Sequence, residues 1–344
     1  MSLRIYSVGD FCRVLNGSLH TVATSASLFY PSFDQGNPQS KGYVRGGLSL
    51  NFYEQSCPQV EYIVRASLRS ISLTDPTTPA AILRLLFHDC QVQGCDASIL
   101  LDPESDIFQT EMASRKNFGI QKRETINTIK AAVEAVCPQQ VSCADILVLA
   151  AREAIAMSGG PMIVVPLGRR DSSSPPNFRQ ADASLPEPNI GLDATLQLFA
   201  KKGMTVGESV AILGAHTLGV THCFNLESRL YKPEVDKIDP QFEIFLKMSC
   251  PLGSFTPNSS FVVNDPTTLL FDNQYFVNSI NGRGVLKIDA EMPLDPRTAP
   301  FIQAFAYDQE VFFEAFSSAF AKLSSSNVLT GNQGVIRTNC NRLY

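Results

Sequence analysis

Two histidines in this chain stand in contexts that suit opposite chemical tasks. His88 lies in the run Leu83-Arg84-Leu85-Leu86-Phe87-His88-Asp89-Cys90. The run has helical character, so Arg84 and His88, one turn apart, share a face. A cation beside an imidazole in apolar surroundings is poorly placed for packing. It is well placed for handling a small polar molecule that carries protons. His216 ends an apolar stretch, Leu213-Gly214-Ala215-His216-Thr217-Leu218-Gly219, where a neutral imidazole can serve as a metal ligand. One histidine reads as an acid–base group and the other as an axial ligand.

Helices must position both. Pro79 to Cys90 keeps an apolar face of Ile82, Leu83, Leu86 and Phe87, and Pro79 suits a helix start. Ser142-Cys143-Ala144-Asp145 opens a second helix, Ala144 to Met157, whose end is marked by Gly159-Gly160-Pro161. Thr205-Val206-Gly207-Glu208 is a capping-box pattern, and the helix it starts delivers His216 at its C-terminal end. From Gln309 to Leu323, Phe312, Phe313, Phe316 and Phe320 recur at helical spacing and read as core. Strand signals are few, and the best is the short Ile163-Val164-Val165. The expectation is a mostly α protein without internal repeats.

The wider composition narrows the function class. The 344 residues, 44% hydrophobic and 18% charged, suffice for one large core or two lobes around a site. The net charge of −5, with no basic run interleaved with aromatics, argues against a nucleic-acid partner. No apolar run reaches the roughly 18 residues of a membrane span. Cys57, Cys90, Cys95, Cys137, Cys143, Cys223, Cys250 and Cys340 are spread across the main part of the chain, while Cys12 stands apart. Eight plus one reads as four disulfides and a leftover, hence an oxidising compartment, but spacing alone selects none of about 105 pairings. Residues 1–48 are rich in Ser, Gly and Tyr and lack helical periodicity, so they read as a leader, an atypical secretion signal or a disordered segment. Residues 49–344 form the compact domain, and His20 falls in the leader.

Leu83 to Cys95, Cys143-Ala144-Asp145, Pro166-Leu167-Gly168-Arg169-Arg170-Asp171-Ser172 and Gly214 to Gly219 occur together in that order. In this the chain resembles the secretory plant haem peroxidases (class III), from about Leu50 to the C-terminus. The resemblance implies a mostly helical peroxidase fold, with a distal and a proximal lobe sandwiching one haem b, minor short β structure and four disulfides. The implied pairs are Cys57–Cys137, Cys90–Cys95, Cys143–Cys340 and Cys223–Cys250. It also implies a secreted monomer that uses hydrogen peroxide to oxidise small phenolic donors through high-valent haem iron, in two one-electron steps.

Residue by residue, the resemblance makes His88 the distal acid–base group, Arg84 the distal cation and Phe87 a wall of the haem pocket. Asn117 would bind the other nitrogen of the His88 ring. On the proximal side His216 would be the iron ligand and Asp289 the carboxylate that accepts its second N–H, making the imidazole more electron-donating. His222 lies near Cys223, but the ligand spacing is wrong for zinc.

Calcium is the second implied cofactor, at two sites. The loop Asp89 to Ser98 is rich in oxygen donors and short, as the ion prefers. There Asp89, Asp96, Ser98 and the backbone oxygens of Val92 and Gly94 would bind the distal ion, with Glu111 joining through water. At the proximal ion, Thr217, Thr267, Leu270 (backbone) and Asp272 match. Alignment without a gap puts Asn264 where an aspartate is usual, and Asp265 sits one residue off.

Several departures bear on the donor. There is no tryptophan, and Ile163 stands where the family generally carries one. Gln91 replaces an aromatic residue, and Phe224-Asn225 alters the aromatic lip. Leu185-Pro186-Glu187-Pro188 keeps the pattern in which the Pro186 carbonyl lies near bound aromatic donors. Asn258-Ser259-Ser260 is the fairer of two glycosylation triplets, the other beginning at Asn16. A catalytically silent wall protein of the same fold is the alternative, opposed by the intact Arg84, His88, Asn117, His216 and Asp289. A cysteine-based redox enzyme would need a free activated thiol or a Cys-x-x-Cys pair, which the even pairing of eight of the nine cysteines disfavours.

Overall fold

A computed structural model describes residues 47–103, 110–174, 177–232, 238–253 and 260–343. Cys12, Asn16, His20, Asn258 and nearly all of the expected leader lie outside the described residues. Among those described, the fold is helical, with one small antiparallel sheet.

The N-terminal helices are α1 (Val60–Thr74), α2 (Thr78–Gln91), α3 (Arg123–Glu134) and α4 (Cys143–Met157). α4 is the spine of this group: the Ser142 side chain accepts a hydrogen bond from Asp145 N, and every residue from Cys143 to Ile155 is buried. Burying Asp145 requires partners, and it has them. Its carboxylate accepts from Tyr53 Oη at 2.7 Å, Gly168 N at 2.7 Å and Arg169 Nη1 at 2.8 Å. α2, which carries Arg84 and His88, packs along α4.

The chain continues through α5 (Phe178–Ser184), α6 (Leu192–Ala200), α7 (Val206–Leu213), β1 (Val220–His222), α8 (Glu227–Tyr231) and α9 (Pro240–Ser249). They continue with β2 (Phe261–Val263), α10 (Gln274–Ile280), α11 (Lys287–Glu291), α12 (Ala299–Tyr307) and α13 (Gln309–Ser325). The capping box at Thr205 is present, with Thr205 Oγ1 accepting from Glu208 N and Glu208 Oε2 from Thr205 N. α7 ends one turn earlier than expected, and His216 sits in the 3-10 turn Gly214–Thr217. Gly214 is required there, because a Cβ would come within 2.5 Å of the Phe312 ring. Phe312, Phe313, Phe316 and Phe320 of α13 are all buried, as their spacing predicts.

The strand expected at Ile163-Val164-Val165 does not form. Ile163 and Val165 pack inward while Val164 is exposed, but no neighbouring chain supplies a ladder, so the segment is unpaired extended backbone. The sheet is instead the pair β1–β2, with Val220 opposite Val263 and His222 opposite Phe261. The disulfides are Cys57–Cys137, Cys90–Cys95, Cys143–Cys340 and Cys223–Cys250. The third ties the start of α4 to the C-terminal segment.

Candidate active site

His88 is buried near the end of α2, and its Nδ1 lies 2.6 Å from Asn117 Oδ1. The amide orientation is fixed from behind, since Asn117 Nδ2 donates to Glu111 O at 2.8 Å. An amide oxygen only accepts, so Nδ1 carries the ring proton and Nε2 keeps its lone pair. Burial, followed by the charge of Arg84, lowers the His88 pKa to about 3, against the opposite pull of Asn117. The imidazole is therefore a neutral acceptor at physiological pH. Arg84 donates through Nη2 to Phe118 O at 2.8 Å. Burial lowers its pKa to about 10, which still leaves it a cation at neutral pH. Phe87 meets the His88 ring edge-on at 5.7 Å.

His216 is held the same way by a different group. Its Nδ1 lies 3.0 Å from Asp289 Oδ1, the side chain of an almost fully buried residue on α11. Leu286 N donates to the other oxygen at 2.9 Å. Burial alone would raise the Asp289 pKa, but His216, Tyr275 and Leu286 together hold it below the usual carboxylate range. Tyr275 is a partner the sequence did not announce: its hydroxyl donates to Asp289 Oδ1 at 2.7 Å, the same oxygen His216 uses. Burial and the Asp289 charge push its phenol well above the ordinary value, so it stays protonated.

Both imidazoles thus have Nδ1 engaged and Nε2 without a protein hydrogen bond among the described residues. This donor set fits a haem: one nitrogen for the iron, and another, beside a guanidinium, for the ligand on iron. A surface cleft of about 580 Å³ beside Asp193, Glu291 and Arg297 contains neither histidine. The chemistry rather than the cleft locates the site.

The loop after His88 is closed by Cys90–Cys95 and gathers carboxylates in a dry place. Asp89 Oδ2 accepts from Ala97 N, Asp96 Oδ1 from Ser98 N, and Glu111 Oε1 from Ser98 Oγ at 2.7 Å. Asp89 Oδ1 and Glu111 Oε2 are buried with no protein hydrogen bond. Burial first, and then mutual repulsion, raise the pKa of Asp89, and burial also raises Asp96 and takes Glu111 to about 7. Buried anions without cations are costly, and orphaned carboxylate oxygens are the donors a calcium ion takes. Gly94, at φ 135°, leaves no room for a side chain: a Cβ would sit 2.1 Å from Asn327 O.

The second oxygen cluster follows His216. Thr217 Oγ1 donates to Asp265 Oδ2 at 2.8 Å and lies 3.1 Å from Asp272 Oδ1, and Thr267 Oγ1 reaches both aspartates at 3.1 Å. Burial raises the Asp265 pKa to about 6. Asp265, not Asn264, thus faces Thr217 and Asp272. The Asn264 amide turns to the backbone, donating to His216 O at 2.8 Å. Leu270 N bonds Thr267 O at 2.6 Å, closing the turn. Among the described residues no three His, Cys, Asp or Glu side chains converge on one point as a metal cluster. The two oxygen clusters instead mix carboxylates with hydroxyl groups and backbone amides.

A peroxidase family model matches residues 64–308. Peroxidase 29 of Arabidopsis thaliana is 56% identical over 304 residues, covering 86% of this chain and 89% of the relative. The chain belongs to the plant secretory peroxidases. It is a haem peroxidase enzyme, and family membership implies haem as cofactor and hydrogen peroxide as a substrate. Two other relatives, Peroxidase 21 and Peroxidase 12 of the same plant, are 40% and 39% identical over 86% of this chain and 90% and 82% of their own lengths. No described helix of this peroxidase is long and apolar enough to cross a membrane.

Around the distal turn, Lys116 Nζ donates to Asp182 O and Leu185 O and pairs with Glu187 at 3.0 Å, fixing the segment that carries Pro186. Gln91, at the position usually aromatic, donates to Ser184 O at 3.2 Å. His222 is buried against the Phe118 ring.

Proposed function

We propose that the chain oxidises small phenolic donors with hydrogen peroxide, in two one-electron steps per peroxide, at a haem held by His216. When bound, haem supplies the iron that exchanges electrons with peroxide and donor. His88 Nε2 takes the proton from the proximal oxygen of peroxide and returns it to the departing oxygen as water leaves. Arg84 stabilises negative charge developing on that oxygen. Asn117 keeps the His88 proton on Nδ1, and Phe87 walls the pocket. Asp289, by accepting the His216 N–H, makes the ligand more electron-donating. Pro186 borders the donor site. The observation that carries this reading is the His88–Asn117 bond beside Arg84, which leaves a neutral acceptor next to a fixed cation.

Two calcium ions complete the proposal. Asp89, Asp96, Ser98, Val92 and Gly94, with Glu111 behind them, would hold one. Thr217, Asp265, Thr267, Leu270 and Asp272 would hold the other, with Asp265 supplying the charge that Asn264 lacks. Residues 49–344 would be the catalytic domain of a secreted monomer.

The test is the full chain loaded with haem and calcium, its visible spectrum followed after one equivalent of hydrogen peroxide and then a phenol. The expected result is a rapid spectral change on peroxide that the phenol reverses in two steps. Haem binding without any response to peroxide would reduce the chain to a retained fold.

A further inference from the structure

The 3-10 turn Arg115–Asn117 faces two ways. Asn117 is buried and holds His88, whereas Arg115, two residues before it, is exposed. The Arg115 guanidinium carbon lies 5.2 Å from the centroid of the Phe224 ring. It has no ion pair with a carboxylate among the described residues. Phe224 packs on Phe118 with ring centroids 4.5 Å apart, and the Phe118 carbonyl accepts from Arg84. One chain of contacts therefore runs from the distal guanidinium through two phenyl rings to a solvent-facing cation.

The platform is held on both sides. Lys116, between Arg115 and Asn117, bonds the carbonyl of Leu185 and the carboxylate of Glu187, the two neighbours of Pro186. A Cβ on Gly119 would lie 2.9 Å from His222 Cε1 and 3.2 Å from Arg84 Nη1, so the chain after the turn lies directly against both side chains.

From this arrangement we infer that Arg115, seated on Phe224, is a specificity-determining residue that selects aromatic donors carrying a carboxylate over neutral donors with the same ring. A guanidinium over a ring spends its face on the π-system and keeps its in-plane N–H groups for a second partner. Those groups suit the two oxygens of a carboxylate. The donor's ring would meet the edge of Phe224, close to the path leading to Arg84. The net charge of the chain is −5, so its overall field disfavours anions, and a local cation without a carboxylate partner among the described residues is what would reverse that at the site. The inference rests on the reading of the chain as an oxidant of aromatic donors.

The test compares ferulate with coniferyl alcohol, which share ring and phenol but differ in carboxylate against alcohol, on the full-length holoenzyme at saturating peroxide. Arg115→Gln is expected to lower the ferulate-to-coniferyl-alcohol ratio of kcat/KM by roughly threefold to fivefold, the range of an exposed ion pair. The loss should fall on the KM for ferulate, and the wild-type ratio should shrink with added salt. Arg115→Lys should keep part of the preference, having charge without the planar fork. Arg69→Gln removes an exposed cation on α1 and should leave the ratio where it was, separating a local effect from one of net charge. A ratio unchanged in Arg115→Gln, or one lowered equally by Arg69→Gln, overturns the inference while leaving the peroxidase reading intact. Failure of the wild type to oxidise either donor would overturn both.

Discussion

His88 and His216 are tied to the protein through the same ring atom, yet to opposite kinds of partner. His88 Nδ1 meets a neutral amide oxygen at 2.6 Å, and His216 Nδ1 a carboxylate oxygen at 3.0 Å. An amide orients the ring and adds no charge, so the free nitrogen stays a weak base that can take a proton and give it back. A carboxylate draws the N–H proton toward itself and makes the free nitrogen a stronger electron donor, which suits a permanent ligand. Two copies of one side chain acquire different chemistry from what stands behind them.

Removing one member of the comparison should have the largest effect. His88→Leu is expected to slow the reaction with peroxide by roughly a thousandfold or more, the scale of general acid–base catalysis, while haem remains bound. Stopped-flow mixing checks this, and an unchanged rate would break the distal half of the contrast. Asp289→Asn keeps an acceptor but removes its charge, bringing the proximal side closer to the distal one. It should cost roughly tenfold to a hundredfold in the peroxide reaction, by analogy with other lost partners of metal-bound histidine. The iron–histidine stretching frequency in the resonance Raman spectrum should fall with it.

Calcium removal probes how the two sides are supported. The buried Asp89 follows His88 directly, and Thr217 follows His216. Chelation should lower Tm by several degrees and slow the peroxide reaction severalfold, about 1 kcal/mol being worth a few degrees in a protein of this size. Full retention of both after metal analysis shows calcium gone would contradict the assignment. The smallest effect is expected at Tyr275, whose hydroxyl shares Asp289 Oδ1 with His216. Tyr275→Phe removes that competing donor, so the iron–histidine frequency should rise slightly, opposite in sign to Asp289→Asn. A shift in the same direction would mean that Tyr275 serves only to pack.

How much of this was legible in the chain follows from how local each feature is. Arg84, His88 and the loop to Ser98 lie within one helix and the turn after it, so their grouping could be read directly. The capping box at Thr205 and the phenylalanines of α13 were equally local. Tyr275 was not, because nothing near it in sequence distinguishes a buried phenol aimed at Asp289, 14 residues away, from an ordinary core aromatic. Asn264 and Asp265 could not be ranked by counting, since the choice depends on the Asn264 amide being taken by His216 O. Ile163-Val164-Val165 has the composition of a strand, but a strand also needs a neighbour, and composition does not reveal one. The cysteine pairs came from the resemblance alone.

The most direct test of the central contrast gives the distal histidine a carboxylate partner like that of the proximal one. The measurement is the pH dependence of the peroxide reaction rate in wild-type and Asn117→Asp holoenzyme. Protonation of His88 Nε2 removes the acceptor, so the rate is kept above its pKa and lost below it. In the wild type, burial and Arg84 hold that pKa near about 3. A carboxylate at position 117 stabilises the imidazolium, so the acid limb should move upward by about one unit or more. Superimposable profiles, from a variant that binds haem normally, would contradict the claim that the partner behind each imidazole sets its role.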